Sequence, residues 1–232
     1  MLWLTDEPLP DAETWWSRLH ASRENTGLYP LLLEILDSQY AGARDRPWRD
    51  TGDLTYQDVA TIDELDAETV LRGWWDPEEN QELYGPDSPL ALPWPGLAPP
   101  ASQEADPDEF ARGFAATWSD RPRLLGLAPS SRGADALTAT GWQGPLNHTN
   151  DTQEISVVVR SWEERFGARV VMVGFDTLCL SIAAPPTTLE HARAVAAEHY
   201  AFCPDNLDQG PGDFDDYAKA LIDERGWWFW WD

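Results

Sequence analysis

The chain is almost without lysine: Lys219 stands alone among 16 basic residues, the rest being arginine. Against them are 41 acidic residues and a formal net charge of −25. A chain this short of positive charge has no basic footprint for nucleic acid or an anionic membrane surface, so direct binding to either is not expected. Cysteine is nearly absent too. Cys179 and Cys203 have no framework spacing, which excludes disulfide stapling as the means of holding the fold. No apolar run approaches the length of a membrane span. The opening Met1-Leu-Trp-Leu-Thr-Asp-Glu has neither the basic start nor the apolar run of a signal peptide, so a cytoplasmic protein with free thiols is expected. Also missing are a phosphate-binding glycine loop, a His-Glu-x-x-His pair, a Cys-x-x-Cys pair, a nucleophile elbow and any internal repeat. No cofactor is indicated.

What is abundant is tryptophan, 14 of 232 residues, within a hydrophobic fraction of 42%. That apolar content argues for a folded chain even though the net charge alone would point to disorder. The length allows one large domain or two small ones, and one compact domain is expected. Charge is uneven: residues 1–121 carry 25 acids and 8 bases, net −17, and residues 122–232 carry 16 and 8, net −8. Such acidity fits a solvated surface, salt adaptation, mimicry of nucleic-acid charge, or attraction of a cationic protein partner. Arginine in place of lysine fits salt adaptation and a GC-rich bacterial coding sequence equally well.

Three regions follow from composition: an acidic N-terminal elaboration over 1–84, a proline-rich linker or surface wrap over 85–107, and an α/β core unit over 108–232. In the first, Pro10 and Asp11 open a helix bearing Trp15, Trp16 and Leu19, punctuated by Gly27. Leu28 to Leu36 reads as a buried strand whose start Pro30 places at an edge. Residues 37–84 are weakly periodic, with a short helix around Ile62 to Trp74. Seven prolines between Gly85 and Pro107 exclude helix and central strand, and Trp94 and Leu97 favour the wrap.

The third region is more regular. A helix spans Asp108 to Trp118, a strand Arg123 to Ala128, and a short helix Gly133 to Thr140, stopped by Gly141. Asp151 and Glu154 offer a capping pair for a helix whose Ile155, Val158, Val159, Trp162 and Phe166 share one face, ending at Gly167. Residues 168–184 form a β-hairpin around Phe175, Asp176 and Thr177. Thr187 and Glu190 would cap a helix reaching about Tyr200. Asp213 caps another that Gly226 closes. Trp227-Trp-Phe-Trp-Trp231 then forms a strand apolar on both faces, a pattern normal for a central position. The fold class is α+β: a mixed sheet containing the hairpin and the C-terminal aromatic strand, flanked by amphipathic helices.

Five motifs make the second half distinctive: Leu97-Ala-Pro; Gly133-Ala-Asp with Gly141-Trp and Asn147; Arg160-Ser-Trp-Glu-Glu-Arg-Phe-Gly-Ala; Ala197-Glu-His-Tyr-Ala-Phe-Cys-Pro-Asp; and the closing Trp-Phe-Trp-Trp-Asp. Together they resemble the bacterial family called domain of unknown function 4253, over about residues 95–232, with Gly27-Leu-Tyr-Pro as an upstream echo. That resemblance implies no activity, substrate or cofactor.

Chemistry could reside in a few constellations. His199 and Cys203 are four apart and would meet on a continuing helix as a thiol and its base, with Asp205 beyond Pro204 and His148 as orienting groups. His199, Cys203 and His191 are also candidate metal ligands. The competing reading makes His199 a hydrogen-bonded core residue and Cys203 a small buried hydrophobe. Arg160 and Glu164 form an i,i+4 pair, although Arg160 could instead hold a carboxylate or phosphate by its planar fork. Trp142, Asn147 and His148 lie in a polar loop suited either to binding a small ligand or to satisfying turns. The leading expectation is a stoichiometric interaction protein, toxin-neutralising or regulatory. Alternatives are a hydrolase or transferase using His199 and Cys203, and a small-ligand binding domain.

Overall fold

The structure, a computed structural model, describes residues 2–34, 58–210 and 212–232. A short strand β1 (Trp3–Leu4) precedes helix α1 (Ala12–Thr26) and strand β2 (Tyr29–Leu33). A 3-10 turn (Val59–Glu64) leads to α2 (Ala67–Gly73) and α3 (Pro77–Tyr84), a second 3-10 turn (Pro89–Ala91) and α4 (Pro107–Ala116). Then come β3 (Leu124–Ala128), α5 (Gly133–Thr140), α6 (Thr152–Phe166) and the hairpin of β4 (Ala168–Val173) and β5 (Thr177–Ile182). Helices α7 (Leu189–Phe202), α8 (Asp205–Asp208) and α9 (Phe214–Ala220) lead into β6 (Gly226–Trp230).

The six strands form one mixed sheet in the order β1-β3-β2-β4-β5-β6, in which only β2 and β4 run parallel. On one face Tyr29, Leu31, Val170, Leu180, Trp227 and Phe229 join Trp162 of α6 and Phe202 of α7 in the larger hydrophobic cluster. On the other, Leu32, Leu125, Val171, Met172 and Cys179 pack with Trp16 of α1 and Ala111 and Ala115 of α4. A bulge between Val170 and Met172 breaks the alternation, which is how two successive β4 residues reach the same cluster. The fold is therefore α+β, with helices on both faces.

Several elements differ from expectation for local reasons. β2 is internal, and Pro30 is tolerated because the ladder to β4 begins at Leu32, two residues later. Ile35 and Leu36, and the acidic stretch through Gln57, lie outside the described residues. The helix expected over Ile62 to Trp74 is divided, because Asp66 turns its carboxylate onto the Thr69 amide and starts α2 afresh. Asp76 with Pro77 at the first turn starts the unforeseen α3 in the same way. Asp151 makes no side-chain cap bond, since Thr149 takes that part: its hydroxyl accepts from the Asp151 amide and donates to Glu154. The cap of α7 is Thr188, whose hydroxyl accepts from the His191 amide, one residue later than predicted. α9 stops at Ala220 and unwinds through Asp223, at φ 58°, before Gly226.

The largest difference concerns β6, which is an edge strand rather than a central one. Trp227, Phe229 and Trp231 are buried as alternation predicts, while Trp228 and Trp230 stay 39% and 36% exposed. Residues 89–101 cross the larger cluster. Leu90 and Ala98 are buried there, and the Ala101 amide donates to the Arg165 carbonyl.

Candidate functional site

α7 ends at Phe202, and the Cys203 that follows leaves the helical conformation, at φ −152° and ψ 81°, while its amide still donates to the His199 carbonyl. The two residues are neighbours along the backbone, but their side chains have different partners. Rings of Trp162, Trp227 and Phe229 surround His199 at centroid distances of 5.3, 4.4 and 4.8 Å. Its Nδ1 lies 3.0 Å from the Tyr217 hydroxyl. Burial pushes the His199 pKa down to about 3, so the ring is neutral at ordinary pH. The Cys203 thiol donates to the Trp230 carbonyl at 3.0 Å and to Asn206 Oδ1 at 3.5 Å. Burial, opposed only in part by the backbone of Trp230 and Asn206, pushes its pKa up to about 12. This arrangement makes Cys203 a donor that closes a strand carbonyl, whereas a nucleophile requires the thiolate.

Asp205 accepts from the Asp232 amide at 3.1 Å and from Gln209 at 3.0 Å. His191 places Nε2 2.8 Å from the Pro99 carbonyl, with its ring beside Phe166. The metal candidates His191, His199 and Cys203 thus have separate partners. Among the described residues no group of three or more His, Cys, Asp or Glu is arranged to hold a metal ion.

The polar-loop candidates do not converge either. Trp142 is fully enclosed, donates its indole N–H to the Gly174 carbonyl at 2.9 Å and packs edge-on to Trp231. Asn147 donates to the Asp232 carbonyl. His148 lies edge-on to Trp74 at 4.7 Å, its pKa lowered by burial. Arg160 pairs with Asp135 at 2.5 Å and Asp63 at 2.6 Å, while Glu164 pairs with Arg132, so the i,i+4 pair does not form.

The outer side of β6 is closed by side chains. Asn206 donates its amide N–H to the Trp228 carbonyl at 2.5 Å and accepts the Trp230 amide at 3.1 Å, imitating one rung of a neighbouring strand. With the Cys203 thiol on the Trp230 carbonyl, this blunts an edge that would otherwise template pairing with another chain. The exposed face of β6 is different. Trp228 lies 5.1 Å from Trp118, which continues through Phe114 to Phe110 along α4. Arg123 stacks over Trp118 at 5.2 Å and Arg225 over Phe110 at 5.2 Å. Carboxylates border the strip: Asp176 accepts the Trp230 indole N–H at 3.0 Å, and Asp120 pairs with Arg123 at 2.8 Å.

Sequence reasoning missed a buried carboxylate. Glu198 is fully enclosed, takes both Nη atoms of Arg165 at 2.7 Å, and accepts from Trp162 Nε1 at 2.7 Å and the Ala98 amide at 2.6 Å. The only sequence signal was a glutamate one position before His199 on an otherwise apolar helix face.

A mixed, helix-flanked α+β sheet with an aromatic edge strand is thus the class that the fold and this surface define. Its C-terminal part, residues 124–232, matches the family described as Domain of unknown function (DUF4253). The match begins at β3 and takes in every element from there to β6, while Leu97-Ala-Pro and Gly27-Leu-Tyr-Pro lie upstream of it. No curated protein and no solved structure matches the chain.

Proposed function

We propose that the protein acts by stoichiometric binding of a cationic protein, in a toxin-neutralising or regulatory role, through the aromatic face of β6 and α4. The observation that carries this reading is the strip of Trp228, Trp230 and Trp118, partly open to solvent and bordered by Asp120 and Asp176. Half-exposed tryptophans on a rigid strand are suited to anchor a partner, because large rings bury much area at little entropic cost. Carboxylates around them favour a basic partner on approach, as does the net charge of −25.

The test compares the wild-type chain with a Trp228→Ser/Trp230→Ser variant as baits in a native lysate, followed by association kinetics with the purified partner. A basic protein retained by the wild type and lost by the variant, with an association rate that falls as salt rises, supports the reading. Retention of the same partner by the variant refutes it. A salt-independent rate removes the acidic border from the mechanism.

A further inference from the structure

In a chain with 41 acids and 16 bases, one cleft gathers three arginines. It has a volume of about 390 Å³ and is lined by Arg23 of α1, Arg132 before α5 and Arg169 of β4, with Tyr29 and three carboxylates, Glu24, Glu163 and Glu164, in the same wall. The guanidinium groups are held in place. Asp108 accepts from Arg23 and from Arg169, each at 2.6 Å, and Arg132 Nε donates to Glu163 at 2.5 Å. Carbonyls of His20 and Ala168 fix the second edges of Arg23 and Arg169. Their side chains are 12%, 35% and 20% exposed in the order Arg23, Arg132, Arg169, so all three are withdrawn from bulk water.

Two donors are left over. Arg132 uses Nε and Nη2, on Glu163, the Arg160 carbonyl and Glu164, and Arg169 uses Nε and Nη1. Arg132 Nη1 and Arg169 Nη2 have no hydrogen-bond partner among the described residues, and both side chains line the cleft. The rest of the wall is rigid and already committed. The Tyr29 hydroxyl donates to the Val170 carbonyl, and a Cβ at Gly133 would meet the Tyr29 ring at 2.7 Å. The Ala134 amide is taken by Glu163.

We propose that this cleft binds a small oxyanion-bearing ligand, a carboxylate or a phosphate, held by Arg132 and Arg169. The volume suits a small molecule and excludes a folded partner. With one nitrogen free on each, Arg132 and Arg169 can offer charge-assisted N–H groups to separate oxygens of a carboxylate or phosphate, and such bonds are strongest where partial burial lowers the local dielectric. The surrounding negative field slows anion entry. It also weakens the binding of any anion, so retention depends on hydrogen bonds from the fixed donors at short range. The site draws on Arg23 and Tyr29 from outside the matched family region and on Arg132, Glu163 and Arg169 from within it.

The experiment is titration calorimetry on the full chain with inorganic phosphate and, separately, succinate, at constant ionic strength in chloride. One probe or both should saturate with one site per chain, and the Arg132→Gln variant should weaken binding by roughly tenfold or more, the loss of a charged hydrogen bond. Saturation by phosphate alone or succinate alone identifies the source of the oxyanion. Arg193→Gln, which breaks an exposed pair with Asp215, should bind like the wild type. Should Arg132→Gln not fold, the guanidinium proton resonances of Arg132 and Arg169 in the wild-type protein decide instead, since bound anion must shift them. No saturation by either probe up to about 10 mM, unchanged affinity in Arg132→Gln, or unshifted guanidinium resonances overturns the proposal.

Discussion

Removing the carboxylate of Glu198 should be among the most damaging single changes in the chain. Glu198→Ala leaves the Arg165 guanidinium, the Trp162 indole N–H and the Ala98 amide without their acceptor in a site that is closed to water at Glu198 and nearly so at Arg165. Breaking a buried ion pair by deleting one partner costs about 3–5 kcal/mol, because the survivor is left charged and undersolvated. Each orphaned neutral donor adds about 1–3 kcal/mol where it cannot reach water. Glu198→Gln keeps an acceptor oxygen and should cost less. The discriminating variant is Glu198→Leu with Arg165→Met, which removes both charges and leaves only neutral groups unsatisfied: the Trp162 and Ala98 donors and the Ala98 carbonyl and Ser161 hydroxyl that Arg165 had bonded. It should therefore be more stable than Glu198→Ala alone, even though it changes two residues. Urea unfolding of the purified chain at pH 7 measures the order. A cost under about 1 kcal/mol for Glu198→Ala, or a double variant as costly as the two single changes added together, refutes the reasoning.

Stability should fall between pH 7 and pH 5. Burial holds His20 and His199 at about 3 in the folded chain against 6.5 for the free side chain, so at these two residues only the unfolded chain takes up protons in this window; His148, lowered by burial, adds to the loss, and Glu154, Glu163 and Asp208, raised by burial, oppose it. Stability present above 6.5 is lost as pH falls, by roughly 2 kcal/mol per histidine at pH 5. Asp108, held at about 2 by Arg169 and Arg23 despite burial, gives up its share only below 3.8 and does not contribute here. Equal urea midpoints at the two pH values would contradict this. Cys203 should react slowly with a thiol reagent in the native state and quickly only in denaturant; fast native labelling that His199→Ala abolishes, with the fold intact, would establish a working dyad instead. Asn206→Ala should uncover the outer side of β6 and produce concentration-dependent self-association by light scattering, and a strictly monomeric variant at high concentration would show that the edge is protected by something else.

Helix ends were legible because they are decided locally. Gly27, Gly141 and Gly167 close α1, α5 and α6 at φ values of 68°, 66° and 61°, a left-handed conformation that glycine adopts without strain. Neighbouring side chains were much less legible, for a reason visible at three places. The i,i+4 spacing of His199 and Cys203 suggested that their side chains meet, but only their backbones do, since the chain turns at Cys203 and sends the thiol toward β6. The same spacing suggested an Arg160–Glu164 pair. An exposed pair of that kind is worth only a few tenths of a kcal/mol, and each residue instead takes a partner from another element, Arg160 on Asp135 and Asp63 and Glu164 on Arg132. The aromatic terminus read as central because both its faces are apolar, but edge or centre depends on what lies beside the strand. Here that place is taken by Asn206 of the short helix α8, which the sequence reading did not anticipate. Glu198 and the arginine cleft are the extreme case. Their partners come from segments as distant as Ala98 to Glu198 and Arg23 to Asp108, and no local pattern encodes such meetings. Local spacing determines the backbone, whereas a buried polar site depends on which distant segments the sheet order brings together; the surfaces with most to say about function were therefore the ones least visible in the sequence.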